Sequence, residues 1–362
     1  MLLARIFVRL PNWVGDIMMA RPALHALRAH WPGARLVGMS RAGHRPLVER
    51  FGLFDDVLAA PEGVGLVQVA AVWSAACKVR EQRPDAAIVM ATSFEAALTT
   101  WLAGVGIRIG HDTDRRAPLL TGAVRLRVEA HRADALRDLA RVLGADAEAT
   151  VPPLALTAAD RAYAARLFHT MSWADEARPI LLNPAAAKTP RAWSSDRFRV
   201  LAEQLTTGTD AQRLIMHARA PFVASTEWGR VHGIALVDDA SLPELAALLE
   251  RCALYIGNDS GPAHLAAAAG IPTVTIFGPS TPGRTGPGVR WSATASAAHD
   301  PHQAVSASFA CSPCRERFFD ECPAPPSVDG RPPCLDAVTV DAVVARVDQV
   351  LAGRSVTSVT DC

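Results

Sequence analysis

Two short segments combine a carboxylate, a glycine and small polar residues directly after an apolar run. The first is Asn12-Trp13-Val14-Gly15-Asp16, following Leu2–Leu10. The second is Asn258-Asp259-Ser260-Gly261-Pro262-Ala263-His264, following Ala253–Gly257. The chemistry they offer differs. A carboxylate such as Asp16, at the carboxyl end of a strand, can take a proton from a hydroxyl while that hydroxyl attacks an electrophile. The second segment opens a helix of small residues. Unpaired backbone N–H groups at Ser260 and Gly261, together with the helix dipole, favour an anion there. Gly261 allows close backbone approach to a phosphate, and His264 on the first turn can donate to the same group. Both segments also read as simple helix starts, capped by Asp16 in one case and by Asp259 or Ser260 in the other.

Three further groups qualify. Lys188-Thr189-Pro190-Arg191-Ala192-Trp193 follows a strand at Pro179–Leu182 and the pair Asn183-Pro184. A cation here can neutralise a departing diphosphate; taken alone, the segment reads more simply as an exposed arginine against Trp193. A basic run (Arg108, His111, Arg115, Arg116, Arg125, Arg127, His131 and Arg132) suits a phosphorylated ligand or a solvated loop. The spacing Cys311-x2-Cys314-x7-Cys322-x11-Cys334 admits a four-thiolate zinc or iron site, or reduced thiols in a proline-rich loop. Cys77, Cys252 and Cys362 read as ordinary thiols.

The elements that must position these groups alternate strand and helix. Leu2–Leu10, Arg35–Met39, Val57–Ala60, Ala86–Met90 and Val105–Ile109 are apolar enough for buried parallel strands. Helices are expected at Ile17–His30, Val67–Arg83, Phe94–Ala103 and His131–Leu143, with 111–128 irregular and Val151-Pro152-Pro153 opening a linker. A second series starts near Arg178. Its strands are Pro179–Leu182, Arg213–His217, Ala253–Gly257 and Pro272–Phe277. Its helices are Asp196–Thr206, Ser241–Arg251 with a capping-box start, Pro262–Ala269 and Val338–Leu351. The expected division is a Rossmann-like domain over 1–175, a second over 176–352 whose last helix packs back on the first, and a tail at 353–362. In open α/β sheets ligands bind at the carboxyl ends of the strands, and two such domains facing each other leave a cleft for two substrates.

Composition narrows the function. Half the residues are hydrophobic and the net charge is +1, which argues against a nucleic-acid binder. Residues 1–170 hold 21 Lys/Arg against 16 Asp/Glu, a mild surplus that could face something anionic. No stretch is long enough to cross a membrane. Arg5 and Arg9 interrupt the first apolar run, so it reads as a strand rather than a secretory signal. The expectation is a cytoplasmic protein with reduced cysteines.

The opening RLPNWVGDIMMARPALHALR and the stretch YIGNDSGPAHLAAAAGIPTVTIFGPSTP together resemble the bacterial heptosyltransferases, glycosyltransferase family 9. Within that family, Trp13–Met19 is most similar to the enzymes that add the second heptose of the lipopolysaccharide core. The resemblance implies a GT-B fold and an inverting transfer from ADP-heptose with no required cofactor. It implies a base matching Asp16 and donor groups matching Asp259, Ser260, Gly261 and His264. Arg191 stands where the family has a lysine, and Asn183 and Gly278 at strand ends complete the donor set. Asn12, Trp13, Arg115 and Arg116 are expected on the acceptor side. The implied acceptor is a lipid A–core oligosaccharide, met by a monomer at the inner face of the inner membrane. Two departures are visible. Arg191-Ala192-Trp193-Ser194 replaces Lys-Arg-Trp-Pro, and Met216-His217-Ala218-Arg219-Ala220 lacks the family's glycine. Other readings are a family member with a different acceptor (the first core heptose or a protein), a non-catalytic nucleotide-sugar-binding protein, and a GT-B-like epimerase that needs no acceptor.

Overall fold

The computed structural model describes residues 3–63, 65–146, 151–186, 189–207, 213–217, 234–288, 300–309, 311, 314 and 331–357. The chain forms two compact units, Met1–Ala155 and Leu156–Cys362.

The first unit holds a six-stranded sheet of β1 (Arg5–Arg9), β2 (Arg35–Ser40), β3 (Asp56–Ala59), β4 (Ala86–Val89), β5 (Ile107–His111) and β6 (Gly122–Val124). Its order is β3-β2-β1-β4-β5-β6, parallel throughout. Parallel strands need helical crossovers that cover both faces, so strand interiors are apolar on both sides. The helical crossovers are α1 (Val14–His30), the short α2 (Arg45–Glu49), α3 (Gly65–Glu81) and α4 (Phe94–Leu102), and α5 (Arg132–Val142) follows the last strand. Phe7, Val37, Met39 and Ala87 of the sheet pack on Ala75, Ala76 and Val79 of α3. Helix α5 packs along α1.

The second unit repeats the plan. It contains β7 (Ile180–Asn183), β8 (Leu214–His217), β9 (Ile234–Val237), β10 (Leu254–Asn258), β11 (Thr273–Phe277) and β12 (His302–Ser306). The order β12-β11-β10-β7-β8-β9 is again parallel. Its helices are α6 (Ala158–Thr170), α7 (Ser195–Thr206), α8 (Leu242–Leu249), α9 (Gly261–Ala268), α10 (Pro282–Thr285), α11 (Pro333–Asp336) and α12 (Val340–Thr357). One sheet face, with Leu182, Met216, Ile256 and Val274, is buried under Phe198 and Leu201 of α7 and Val343 and Val347 of α12.

Both sheets therefore have the 3-2-1-4-5-6 order of doubly wound folds, as expected for two Rossmann-like units. Three expectations change in detail. Helix α6, capped by a reciprocal Thr157–Asp160 box, packs on α8; the boundary thus falls at residue 155 rather than 175. Helix α12 lies on the second sheet and α7, and its apolar side forms part of that core. It also runs on to Thr357, past the expected end at Leu351. The stretch 111–128 includes strand β6, paired to β5.

Candidate functional site

In each sheet the strand order reverses beside its first strand, between β1 and β4 in one unit and between β7 and β10 in the other. Loops leaving the two central strands in opposite directions part there and open a crevice. The Asn12–Asp16 and Asn258–His264 segments and Arg191 fall on these loops.

In the first unit, β1 ends in Arg9, which is buried. Its guanidinium donates to Leu10 O at 2.6 Å and to Asn12 Oδ1 at 2.8 Å, and lies 3.8 Å from the Glu95 carboxylate at the start of α4. Burial holds the Arg9 pKa below its ordinary value, with Glu95 acting against that trend. The loop is thus tied from beneath by a cation. Asn12 faces inward to Arg9, while Trp13 is half exposed with Arg41 over its ring at 5.5 Å. Asp16 lies in the first turn of α1, where a negative side chain complements the helix dipole. Its Oδ1 is 3.3 Å from Arg132 Nε at the start of α5.

Arg115 and Arg116 separate. Arg115 is exposed, with φ at 54°. Arg116 is fully buried and donates to the carbonyls of His111 (2.9 Å), Ser93 (3.2 Å), Val89 (3.4 Å) and Ala91. Its donors hold the β4–α4 connection in place, and its full burial leaves it no surface to meet an acceptor. Burial lowers its pKa to about 10.

In the second unit Asn258 closes β10. Its side chain accepts from Trp193 N at 2.9 Å and donates to Pro184 O at 2.8 Å. Trp193 is itself buried, donating through Nε1 to Val338 O at 2.9 Å and meeting Phe198 edge-on at 5.0 Å. This anchor presents Arg191, whose Nη1 lies 3.5 Å from Asp259 Oδ2. The same Asp259 oxygen accepts from Ser280 Oγ at 2.5 Å and Thr285 Oγ1 at 3.3 Å. Asp259 is 5% exposed, so its charge is balanced inside the loop, as a buried carboxylate requires.

Ser260 is the N-cap of α9 without a side-chain cap bond, and Gly261 is the first helical residue. The backbone N–H groups of this turn thus lie at a helix N-terminus, where unpaired donors favour an anion. His264 is buried on the same helix. Gly257 has a clear steric reason: a Cβ there would lie 2.4 Å from the Tyr255 hydroxyl and 2.9 Å from Asn183 O. The Tyr255 hydroxyl lies beside Ser260 without meeting hydrogen-bond geometry. Burial raises its pKa, the Ser260 hydroxyl opposes that, and Asp259 adds to it.

Asn183 is fully buried at the end of β7, its Nδ2 2.6 Å from His217 Nδ1. At Gly278 a Cβ would fall 2.9 Å from Leu335 Cβ of α11; this glycine is demanded by packing. Lys188, Ala218, Arg219, Ala220, Cys322 and Cys362 lie outside the described residues. Cys311 is exposed, the backbone of Cys314 donates to Pro279 O at 3.0 Å, and Cys334 is buried on α11. Among the described residues no three metal-ligating side chains cluster. Ser280, Thr285, Arg9 and Tyr255 were not singled out by sequence reasoning. The hydroxyl-rich Ser280-Thr281 pair after Gly278-Pro279 was the available signal for the first.

The profile of glycosyltransferase family 9 (heptosyltransferase) matches residues 72–318. Lipopolysaccharide heptosyltransferase 2 of Escherichia coli K12 is 28% identical over 306 residues, covering 78% of this chain and 85% of that protein. Two solved structures share the fold. The E. coli ADP-heptose lipopolysaccharide heptosyltransferase II superposes with a TM-score of 0.73 at 22% identity, covering 97% and 99% of the two chains. The glycosyltransferase family 9 protein of Veillonella parvula gives 0.78 at 18%, covering 97% of each.

Proposed function

The chain belongs to glycosyltransferase family 9, and from that premise we propose that it transfers heptose from ADP-heptose to the lipopolysaccharide inner core, at the step adding the second core heptose. The observation that carries this reading is the Asp259 loop. A buried carboxylate fixes Arg191 beside the N-terminus of α9, which assembles a cation and backbone donors suited to a diphosphate. Ser260, Gly261 and His264 complete the donor side, with Asn183 beneath it.

Transfer is a single displacement. The acceptor oxygen bonds to the anomeric carbon as the bond to the diphosphate breaks, and that electron pair leaves with ADP. Asp16 takes the hydroxyl proton. Arg191 and the helix N–H groups stabilise the charge that develops on the leaving group. Asn12, Trp13 and Arg115 are the acceptor contacts in this reading. Among the described residues no helix is long and apolar enough to cross a membrane, so a lipid-linked acceptor is met at the membrane surface.

The test is product analysis by mass spectrometry with ADP-heptose and defined core acceptors. One heptose should be added to an acceptor already carrying the first. Asp16→Ala should lower kcat by roughly 10²–10⁴, the usual contribution of a general base, while ADP still binds. Wild-type transfer by that variant removes Asp16 as the base.

A further inference from the structure

Arg132 occupies a position that opposes its charge. It is the first residue of α5, whose N-cap is His131, and a helix N-terminus disfavours cations. It also acts on Arg116 and His111 as a like charge, helping to depress both pKa values. The helix dipole and the like-charged neighbours therefore both argue against an arginine here. The group that answers its charge is Asp16, at 3.3 Å. Both side chains are largely shielded, at 19% and 24% exposure, so the pair is less screened by salt than a surface bridge. The contact spans two helices packed along each other, which fixes the separation of their starts.

We infer that Arg132 is a positioning residue for Asp16: it holds Oδ1, so that Oδ2 is the oxygen presented to the acceptor hydroxyl. This rests on Asp16 being the base. A carboxylate held at one oxygen loses the freedom to rotate out of line, and misplacement by about 1 Å can cost 10²-fold in rate. The alternative role for a cation at this place is to bind a phosphate on the acceptor.

Steady-state kinetics separate the two. Arg132→Gln should lower kcat by roughly 10–100-fold, with the KM for donor and acceptor within about twofold. Arg132→Lys should recover part of the loss, since the charge remains while the geometry of the fork does not. A melting curve like that of the parent protein shows that the variant folds; if Arg132→Gln does not fold, the comparison is made between parent and Arg132→Lys, where the same kcat-selective loss is expected. A raised acceptor KM with kcat intact overturns the inference in favour of phosphate binding, and unchanged kinetics overturn it outright. Asp16→Asn runs in parallel: full activity there would overturn the base assignment itself, whereas an inactive Asp16→Asn beside a normal Arg132→Gln rejects only the role of Arg132.

Discussion

Each unit sets a carboxylate beside the reversal of its sheet, and the two are held in opposite ways. Asp16 follows β1, at the reversal of the first sheet; Asp259 follows β10, at the reversal of the second. Asp16 is partly open, meets one cation through one oxygen, and can offer the other to a substrate. Asp259 is closed in, and its Oδ2 already serves two hydroxyls and Arg191. The cation at each loop differs in the same sense. Arg9 braces the first loop from inside, whereas the second loop is braced by its acid and turns its cation outward. A carboxylate's role is decided by what else holds its oxygens, and strand position alone does not reveal it.

That contrast can be broken by paired lesions. The Asp16→Ala loss of turnover with retained ADP binding is the largest effect. Asp259→Ala should behave inversely: ADP affinity measured by calorimetry should fall about 10–100-fold, because Arg191 and the Ser280 hydroxyl lose the acceptor that orients them. Equal losses of kcat and no change in ADP affinity would erase the distinction between the loops. A smaller effect concerns the floor of the second loop. Gly257→Ala should destabilise that unit by about 1–3 kcal/mol through overpacking. Adding Tyr255→Phe should return part of it, since the hydroxyl is the nearer obstacle and Asn183 O remains; full additivity in denaturant titrations would contradict the contact.

The last predicted effect is on acid stability. Burial, aided by Arg21, lowers the His25 pKa to about 4, and burial with Arg132 does the same to His111. Unfolded histidine binds protons near pH 6.5. Between that value and about 4 the unfolded chain takes up more protons, so stability must fall as pH falls. Denaturation at pH 5 should show a loss on the order of 1–3 kcal/mol relative to pH 7, and His111→Gln should remove part of that slope.

Much of the fold was readable because buried parallel strands are continuous apolar runs, as in Ala86–Val89. Strand β6 escaped notice, being three residues and incompletely buried inside a basic stretch. Strand β12 did so because His302 and Gln303 dilute its pattern. Helix α6 did carry a signal, Thr157 three residues before Asp160, and its weak apolar periodicity hid it. At the site, Asp16 and the Asn258–His264 loop were visible from residue types and strand ends. The inward turn of Arg116 was not, since a run of arginines does not say which one meets carbonyls. Nor was the packing demand on Gly278, whose neighbour Leu335 is distant in the chain.

The seclusion of Tyr255 has an optical consequence. The chain has two tyrosines, Tyr163 and Tyr255, and both belong to the second unit. Tyr163 donates to Asp239 Oδ1 at 2.5 Å, and burial followed by that carboxylate raises its pKa as well. Neither phenol ionises readily while its surroundings persist. In an alkaline titration the ultraviolet band of tyrosinate therefore emerges with the loss of structure around these rings, and the second unit carries a native chromophore for its own unfolding, separate from the tryptophans found in both.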